Sequence, residues 1–546
     1  MRTDRAEILA RYSFPLDRFQ HEAIDAFDAG RHVIVAAPTG SGKTVVAEYA
    51  VEAAVRDGRR AFYTAPIKAL SNQKYRDLAD HHGDDRVGLL TGDNSINGDA
   101  PIVVMTTEVL RNMVYAGRDL TDLAVVVLDE VHFLQDAYRG PVWEEVIIHL
   151  PQHVRLVCLS ATVSNSRELA EWVQTVRGPT DAILEERRPV ELENLYLVHD
   201  RTNDRLRLMP TIVDGRPNSD ALRLDASAVR GGGRDRGRSR RDDLRGLRGS
   251  GRLVLATPSR VDTVEVLAEH DLLPAIFFIF SRNGCEEAAR SLVATGVRFT
   301  DDRERARIRT IIEQRLEGLA AADLEVLRYD EFVTQLDAGI AAHHAGMIPP
   351  FKEIVETCFA EGLIRVVFAT ETLAVGVNMP ARSVVIEKLT KFTGDHHEAL
   401  SPGQFTQLTG RAGRRGIDAH GSAVVLWSPW VRFDQVAELA TSRSFHLRSV
   451  FRPTYNMAAN LVRTYTSERA HQLLALSFAQ FQADRDVVRV SRRLQRLRER
   501  HADLRAQAAS PYGDIDEYRE AVAAARGASG NGRDHPYALA LMRMKP

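Results

Sequence analysis

The 546-residue chain has only three cysteines, Cys158, Cys285 and Cys358, far apart and with no C-x-x-C pair. Neither a disulfide framework nor a zinc site is indicated. No apolar run reaches membrane-spanning length, and the opening MRTDRAEILARYSF lacks the apolar core of a signal peptide. A cytoplasmic protein without a membrane partner is the expectation. An excess of one charge is also missing: the net charge is −2, so any polyanion must be held by local patches and not by bulk charge. What remains is an ordinary globular composition, 44% hydrophobic and 27% charged. The length alone suggests roughly three or four domains.

Two segments share one rhythm. In the first, the apolar runs HVIVAA (32–37), RAFYTA (60–65), PIVVMT (101–106), AVVVLD (124–129) and RLVCLS (155–160) alternate with helical stretches. In the second, AIFFIF (275–280), IRVVFA (364–369), SVVIEK (383–388) and SAVVLW (422–427) do the same. Such alternation predicts parallel sheets covered by helices. The expected organisation is an α/β domain over 1–185, a connector over 186–259, a second α/β domain over 260–430, a further domain over 431–485 and an Arg-rich helical arm over 486–546. Within the connector, residues 230–252 carry nine arginines, many glycines and almost nothing apolar. They are expected to form a loop, because they bury too little to offset their ordering entropy; Arg/Gly tracts can also touch nucleic acid. Val487, Val490, Leu494, Leu497 and Leu504 recur at 3–4 spacing, as in one arm of a helical hairpin or a single surface helix. The chain stops at ALMRMKP with no evident closing element, so a continuation is expected.

Chemistry concentrates at two places. HVIVAA runs into PTGSGKT (38–44) and then VVAEYAVEAAV: strand, glycine-rich turn, helix. Gly40 and Gly42 let backbone N–H groups wrap a phosphate chain, and the helix N-terminus adds partial positive charge. Lys43 would reach the β- and γ-phosphates and Thr44 would ligate Mg²⁺. Ala37 stands where the general pattern has its first glycine, a departure shared by the A-x-T-G-S-G-K-T version found in helicases. The second place is VVVLDEVHF (125–133), an apolar run that ends in two carboxylates. Buried charge there needs compensation. A nucleotide-bound Mg²⁺ supplies it at Asp129, leaving Glu130 to orient and deprotonate an attacking water.

APTGSGKT, DEVH (129–132), SAT (160–162) and QLTGRAGRRG (407–416) stand in the order of superfamily 2 DExH-box helicases. LDRFQ (16–20), TAPIKALSNQ (64–73), HHAGMIPPFKEIVE (343–356), FATETLAVGVNMPA (368–381) and VFRPTYNMAANL (450–461) narrow the resemblance to the superkiller-type branch, which includes RNA helicases serving the RNA exosome. It covers about 14 to 485, and is weak across 200–255 and after 505. It implies two tandem RecA-like domains followed by a winged-helix-like domain (431–485), ATP and Mg²⁺ as ligands, RNA held by sequence-independent backbone contacts, an RNA-decay nuclease as partner, 3′→5′ movement, and a monomer. The family's helical ratchet bundle is not found. DNA as the strand, or a scaffold switched by ATP, are the alternative readings.

The resemblance also implies roles. Phe14 and Gln20 would form the adenine site. Thr39, Ser41 and Gly376 would complete the ATP contacts. Gln407, Arg411 and Arg414 would face the phosphates from the second domain. His132, Ser160 and Thr162 would couple the nucleotide site to the strand. Pro66, Lys68, Thr107 and Glu108, with Ser281, Arg282, Thr370 and Glu371, would line the strand's path. A hairpin over 386–400, turning at TGD, would carry Phe392 as a wedge. His343 and His344 are adjacent and point apart, so a structural or strand-contacting role is expected and not a metal pair.

Overall fold

The computed structural model describes residues 5–227, 254–317, 321–376, 379–392, 396–442, 444–508, 519–520 and 522–523. The Arg/Gly stretch 230–252 lies outside the described residues. Residues 1–470 form one unit and 471–546 another.

The first sheet has eight strands in the spatial order Ser95–Ile96, Val87–Leu90, Ile102–Thr106, Arg60–Ala65, Leu123–Leu128, Arg155–Ser160, His32–Ala36, Thr180–Leu184. All pairings are parallel except that of the first two strands. Its central strands are Val/Ile/Leu-rich and buried throughout, because helices cover both faces. The order reverses about the strand His32–Ala36, and ligands in such sheets bind beyond the carboxyl ends of the strands.

The second sheet runs Arg205–Pro210, Glu191–Asp200, His420–Leu426, Ser383–Ile386, Ala275–Phe278, Val366–Ala369, Ile340–His343, with Leu255–Ala256 added beside Glu191–Asp200. Here the structure departs from the expected connector. Residues 191–200 and 205–210 are strands of this sheet, and Glu191–Asp200 pairs in parallel with His420–Leu426. The strand reads ELENLYLVHD, polar and half-exposed at its start, so it lacks the continuous apolar run that marked the others.

The expected winged-helix-like stretch begins with helices Phe433–Thr441 and Tyr455–Thr464. Phe433 is buried against Tyr196, and its N–H donates to Asp225 Oδ2 at 3.0 Å. The segment between these helices returns to the first domain. Ser164 N–H donates to Phe445 O (2.9 Å), and the Asn165 side chain exchanges two hydrogen bonds with the Leu447 backbone (2.8 and 2.9 Å). In the other unit, Phe478–Ala508 is one helix of 31 residues on which Leu494, Leu497 and Leu504 are exposed. Among the described residues, no helix is long and apolar enough to cross a membrane. The three cysteines are free and buried.

Candidate nucleotide cleft and strand-binding face

The strand His32–Ala36 hands the chain to a loop in which Gly40 (φ +80°) and Gly42 (φ +86°) take left-handed conformations open to glycine at little cost. A Cβ on Gly42 would also lie 2.7 Å from Gln20 Nε2. Lys43 precedes the helix Thr44–Arg56, and its Nζ donates to Ala37 O at 2.9 Å, folding the lysine over the loop. Thr44 opens the helix, whose first N–H groups have no partner within it. The buried Ser41 hydroxyl also has no hydrogen-bond partner among the described residues. Orphan donors, two left-handed glycines and a lysine fit a phosphate chain. Phe14 is 48% exposed and leans on Tyr12, with ring centroids 5.6 Å apart. Gln20 uses both ends of its amide within the protein: Nε2 donates to Gly42 O (2.9 Å) and Oε1 accepts from Asp17 N–H (2.8 Å).

Asp129 follows the buried strand Leu123–Leu128 and is itself 7% exposed. Tyr63 Oη donates to Asp129 Oδ2 at 2.7 Å, and the Glu130 N–H to Oδ1 at 2.9 Å. Burial raises the Asp129 carboxyl above the ordinary carboxylate range, and the Glu130 charge adds to this; Lys74, Tyr63 and Lys43 oppose it. A hard cation fits that donor, since it would favour the charged form. Glu130 has φ +51°, which is uncommon outside glycine and is held here by the turn into Val131–Gln135. The turn puts Glu130 Oε2 3.3 Å from His132 Nδ1. His132 is buried; burial and then the Lys43 charge push its pKa down to about 3, so the ring is neutral. Ala161 N–H donates to its Nδ1 at 3.3 Å, and the Gln407 amide meets its Nε2 at 2.5 Å. A neutral ring accepts at one nitrogen only. Both the Ala161 N–H and the Gln407 amide nitrogen approach the ring as donors, so only one of them finds its lone pair. Ser160 and Thr162 flank Ala161 and are buried; the Ser160 hydroxyl has no partner among the described residues.

The second domain's wall is the helix Pro402–Thr409 and the turn after it. Gly410 packs against the first domain, where an added Cβ would lie 3.1 Å from Thr39 Oγ1. Arg411 is buried and donates through Nε and Nη2 to Ala374 O (3.1 Å for Nε). Burial pushes this guanidinium down to about 10, and the negative charge of Glu130 opposes the shift. The expected finger thus shares an electrostatic neighbourhood with the expected base. Gly376 ends the short helix Thr372–Gly376, two residues past that carbonyl.

Arg414, expected as a second finger, turns to its own domain. Its Nε and Nη2 donate to the two oxygens of Asp418, each at 2.8 Å, and its backbone N–H adds a third bond at 2.9 Å. Arg415 crosses instead: Nη1 donates to Ser41 O (3.2 Å) and Nη2 to Asp17 Oδ2 (3.0 Å). Sequence reasoning missed Arg415 because adjacent arginines carry no local sign of which one crosses. It also missed Arg188, whose guanidinium donates to Ala412 O (3.0 Å) and Thr409 O (3.4 Å), tying the interdomain segment to the same turn.

Comparison with known proteins gives this geometry a family. A DEAD/DEAH box helicase model matches residues 17–170, and a helicase conserved C-terminal domain model matches 310–416. A Mycobacterium leprae protein named probable helicase HelY is 50% identical over 531 residues, 94% of this chain and 57% of the relative. The chain belongs to the superkiller-type DExH-box helicases. The antiviral helicase SKI2 of Saccharomyces cerevisiae is 38% identical, over 86% of this chain and 39% of its own length. The exosome RNA helicase MTR4 of Homo sapiens is 38% identical, over 90% and 46%. The chain spans about half the length of the curated relatives it matches.

The residues expected to line a strand's path lie beyond the carboxyl ends of strands in both sheets. Pro66 and Thr107 directly follow the strands Arg60–Ala65 and Ile102–Thr106. Arg139, another residue the sequence reading missed, joins them: its Nη1 donates to Pro66 O (2.8 Å) and its Nε lies 3.8 Å from Glu108. Thr107 Oγ1 donates to Ala65 O at 3.4 Å, and Lys68 pairs with Asp93. In the second domain Ser281 caps the helix Arg282–Ala294, accepting from Gly284 N–H at 3.1 Å. Thr370 follows the strand Val366–Ala369, and Glu371 pairs with Lys391 at 3.1 Å. Lys391 lies on an antiparallel hairpin of Thr390–Phe392 and His397–Ala399, where Phe392 is 60% exposed. Its tip, 393–395, lies outside the described residues. His343 and His344 go to separate carboxylates: His343 Nε2 lies 3.0 Å from Glu356, and His344 Nε2 lies 2.7 Å from Glu286 while its Nδ1 accepts from Gly346 N–H.

Proposed function

We propose that this chain is the ATP-driven motor of a helicase that holds RNA by its backbone and moves along it 3′→5′. The observation that carries the reading is the contact of Gln407, from one domain, with His132, which stands beside Glu130 in the other. A turnover site divided between two lobes ties hydrolysis to their relative movement. Lys43 and the loop N–H groups bind the β- and γ-phosphates. Glu130 takes the proton of the attacking water. Arg411 offsets charge that develops on the transferred phosphoryl group. Mg²⁺, held by Thr44 and Asp129, would neutralise phosphate oxygens when bound. His132 reports the state of Glu130 to Gln407 and, through Ala161, to the segment carrying Ser160 and Thr162.

The strand would lie across Pro66, Lys68, Thr107, Ser281, Arg282 and Thr370. Glu108 and Glu371 position Arg139 and Lys391 for it, since a carboxylate repels phosphate. Phe392 would part the duplex, and a winged-helix-like domain over 431–485 would brace the motor. RNA and an RNA-decay nuclease as partners are supported by the likeness to the human exosome RNA helicase. The reading includes a cytoplasmic monomer. The test is ATP turnover with and without RNA or DNA, then unwinding of matched RNA and DNA duplexes with 3′ tails. Stimulation by RNA and preferential RNA unwinding are expected; preferential DNA unwinding would overturn the choice of strand.

A further inference from the structure

We infer that Arg415 is a positioning residue, a latch by which the second lobe grips the base side and the phosphate side of the nucleotide pocket at once. The inference rests on the functional reading above. Two acceptors are taken by one planar guanidinium: the Asp17 carboxylate, at the entry of the helix Arg18–Asp28, and the Ser41 carbonyl inside the phosphate loop. These acceptors are already joined. Asp17 N–H donates to Gln20 Oε1, and Gln20 Nε2 donates to Gly42 O, one residue past Ser41. The contacts therefore run from Arg415 to Asp17, Gln20, the Gly42–Ser41 backbone and back to Arg415. Gly42 leaves room for this arrangement, since a Cβ there would meet Gln20 Nε2 at 2.7 Å and stand 3.6 Å from Arg415 Nη1.

The neighbouring arginines have other duties. Arg411 is held on Ala374 O and Arg414 on Asp418, so of the three guanidiniums only that of Arg415 spans the lobes. A fork of fixed geometry suits two acceptors at a set separation, which a lysine's single ammonium cannot match. The pair with Asp17 is nearly half exposed on both sides, so its own contribution is modest. The effect expected is a bias of the closed arrangement and not its sole support. Arg415 touches no reacting group. It acts by fixing when the helix that carries Gln407, eight residues earlier, and the turn that carries Arg411, four residues earlier, close on the first domain at His132.

The test compares Arg415→Ala, Arg415→Lys, Asp17→Ser and the double variant Arg415→Ala/Asp17→Ser in the full chain. Serine keeps a good helix-capping residue at 17 while removing the carboxylate. Arg415→Ala and Asp17→Ser are each expected to lower RNA-stimulated kcat by about tenfold, the effect of ~1.4 kcal/mol. The double variant should lose no more than the worse single variant, Arg415→Lys should recover only part, and all four should melt with the parent. Losses that multiply in the double variant, full recovery by lysine, or a parental kcat in Arg415→Ala would each overturn the proposal. A second readout does not depend on stimulation. Spin labels at Arg18→Cys and Ile417→Cys report the distance between the lobes with a non-hydrolysable ATP analogue bound. The distribution should lengthen in Arg415→Ala, and an unchanged distribution would also overturn the latch. A parent enzyme that no polynucleotide stimulates would sink the helicase reading instead, and the distance measurement would still judge Arg415.

Discussion

On the first-domain wall of the cleft, Lys43, Asp129 and Glu130 are held by their own domain: Lys43 by a carbonyl six residues back, Asp129 by Tyr63 of the adjacent strand, Glu130 by the turn that follows it. On the second-domain wall, three arginines within five positions go three ways: Arg411 inward to Ala374, Arg414 back to Asp418, Arg415 across to a carboxylate 398 residues away in sequence. The first wall is built by strand, turn and helix in sequence order. The second is a single turn whose identical side chains are sorted by what surrounds them. The lesson is that residue type and spacing identify a phosphate cradle, whereas the part played by a guanidinium depends on which acceptor lies within reach.

Removing charge from the second wall gives the largest expected effect. Arg411→Ala should lower kcat on the order of 10³–10⁵-fold, read from single-turnover phosphate release. A loss under about tenfold would move the decisive cation elsewhere on that turn. Next is the first wall's base. Glu130→Gln should lower turnover on the order of 10²–10⁴-fold while equilibrium binding of a fluorescent ATP analogue stays at the parent's level. Parental turnover would disprove the assignment.

Arg414→Ala sharpens the contrast between neighbours. It should lower stability by about 1–3 kcal/mol, because the Asp418 carboxylate loses its two bonds from the guanidinium and keeps only the backbone N–H, yet change kcat by no more than about tenfold. A drop as deep as that of Arg411→Ala would mean that Arg414 leaves Asp418 during the cycle. The smallest effect is a pH dependence. Burial would raise the Asp418 carboxyl, but the Arg414 side chain and N–H outweigh it, and the group sits below the usual value of 3.8. A carboxyl lowered on folding contributes stability above the unfolded value and loses it as pH falls through the folded one. Asp418→Asn should therefore melt lower than the parent at neutral pH, with the gap closing below about pH 4. A gap that widened on acidification would reverse the sign of that interaction.

Legibility followed burial and locality. The continuous apolar runs located most strands of both sheets, because strands covered on both faces need unbroken apolar sequence. Glu191–Asp200 escaped because its first half alternates and faces solvent. The phosphate loop was legible because its glycines serve backbone conformations that few other residues adopt. Arg139, Arg188 and Arg415 were not legible. Arg139 and Arg188 donate to backbone carbonyls far away in sequence, and a carbonyl has no residue type to match; Arg415 divides itself between one such carbonyl and a carboxylate 398 residues away. For Gln20 the engagement of both ends of its amide within the protein was not legible.

By itself, then, the amino-acid order determined two helix-covered parallel sheets, a glycine-rich cradle with its lysine and threonine, and a pair of carboxylates at the end of a buried strand. Each of these is set within a few turns of chain, by hydrophobic period or by backbone permissiveness. Only the tertiary structure decided that Gln407 meets His132, that Arg414 stays with Asp418 and that Arg415 crosses to Asp17 and Ser41. Those choices depend on distances between groups far apart in sequence, and a charged side chain's role is fixed by the partner it can reach once burial has brought the two lobes together.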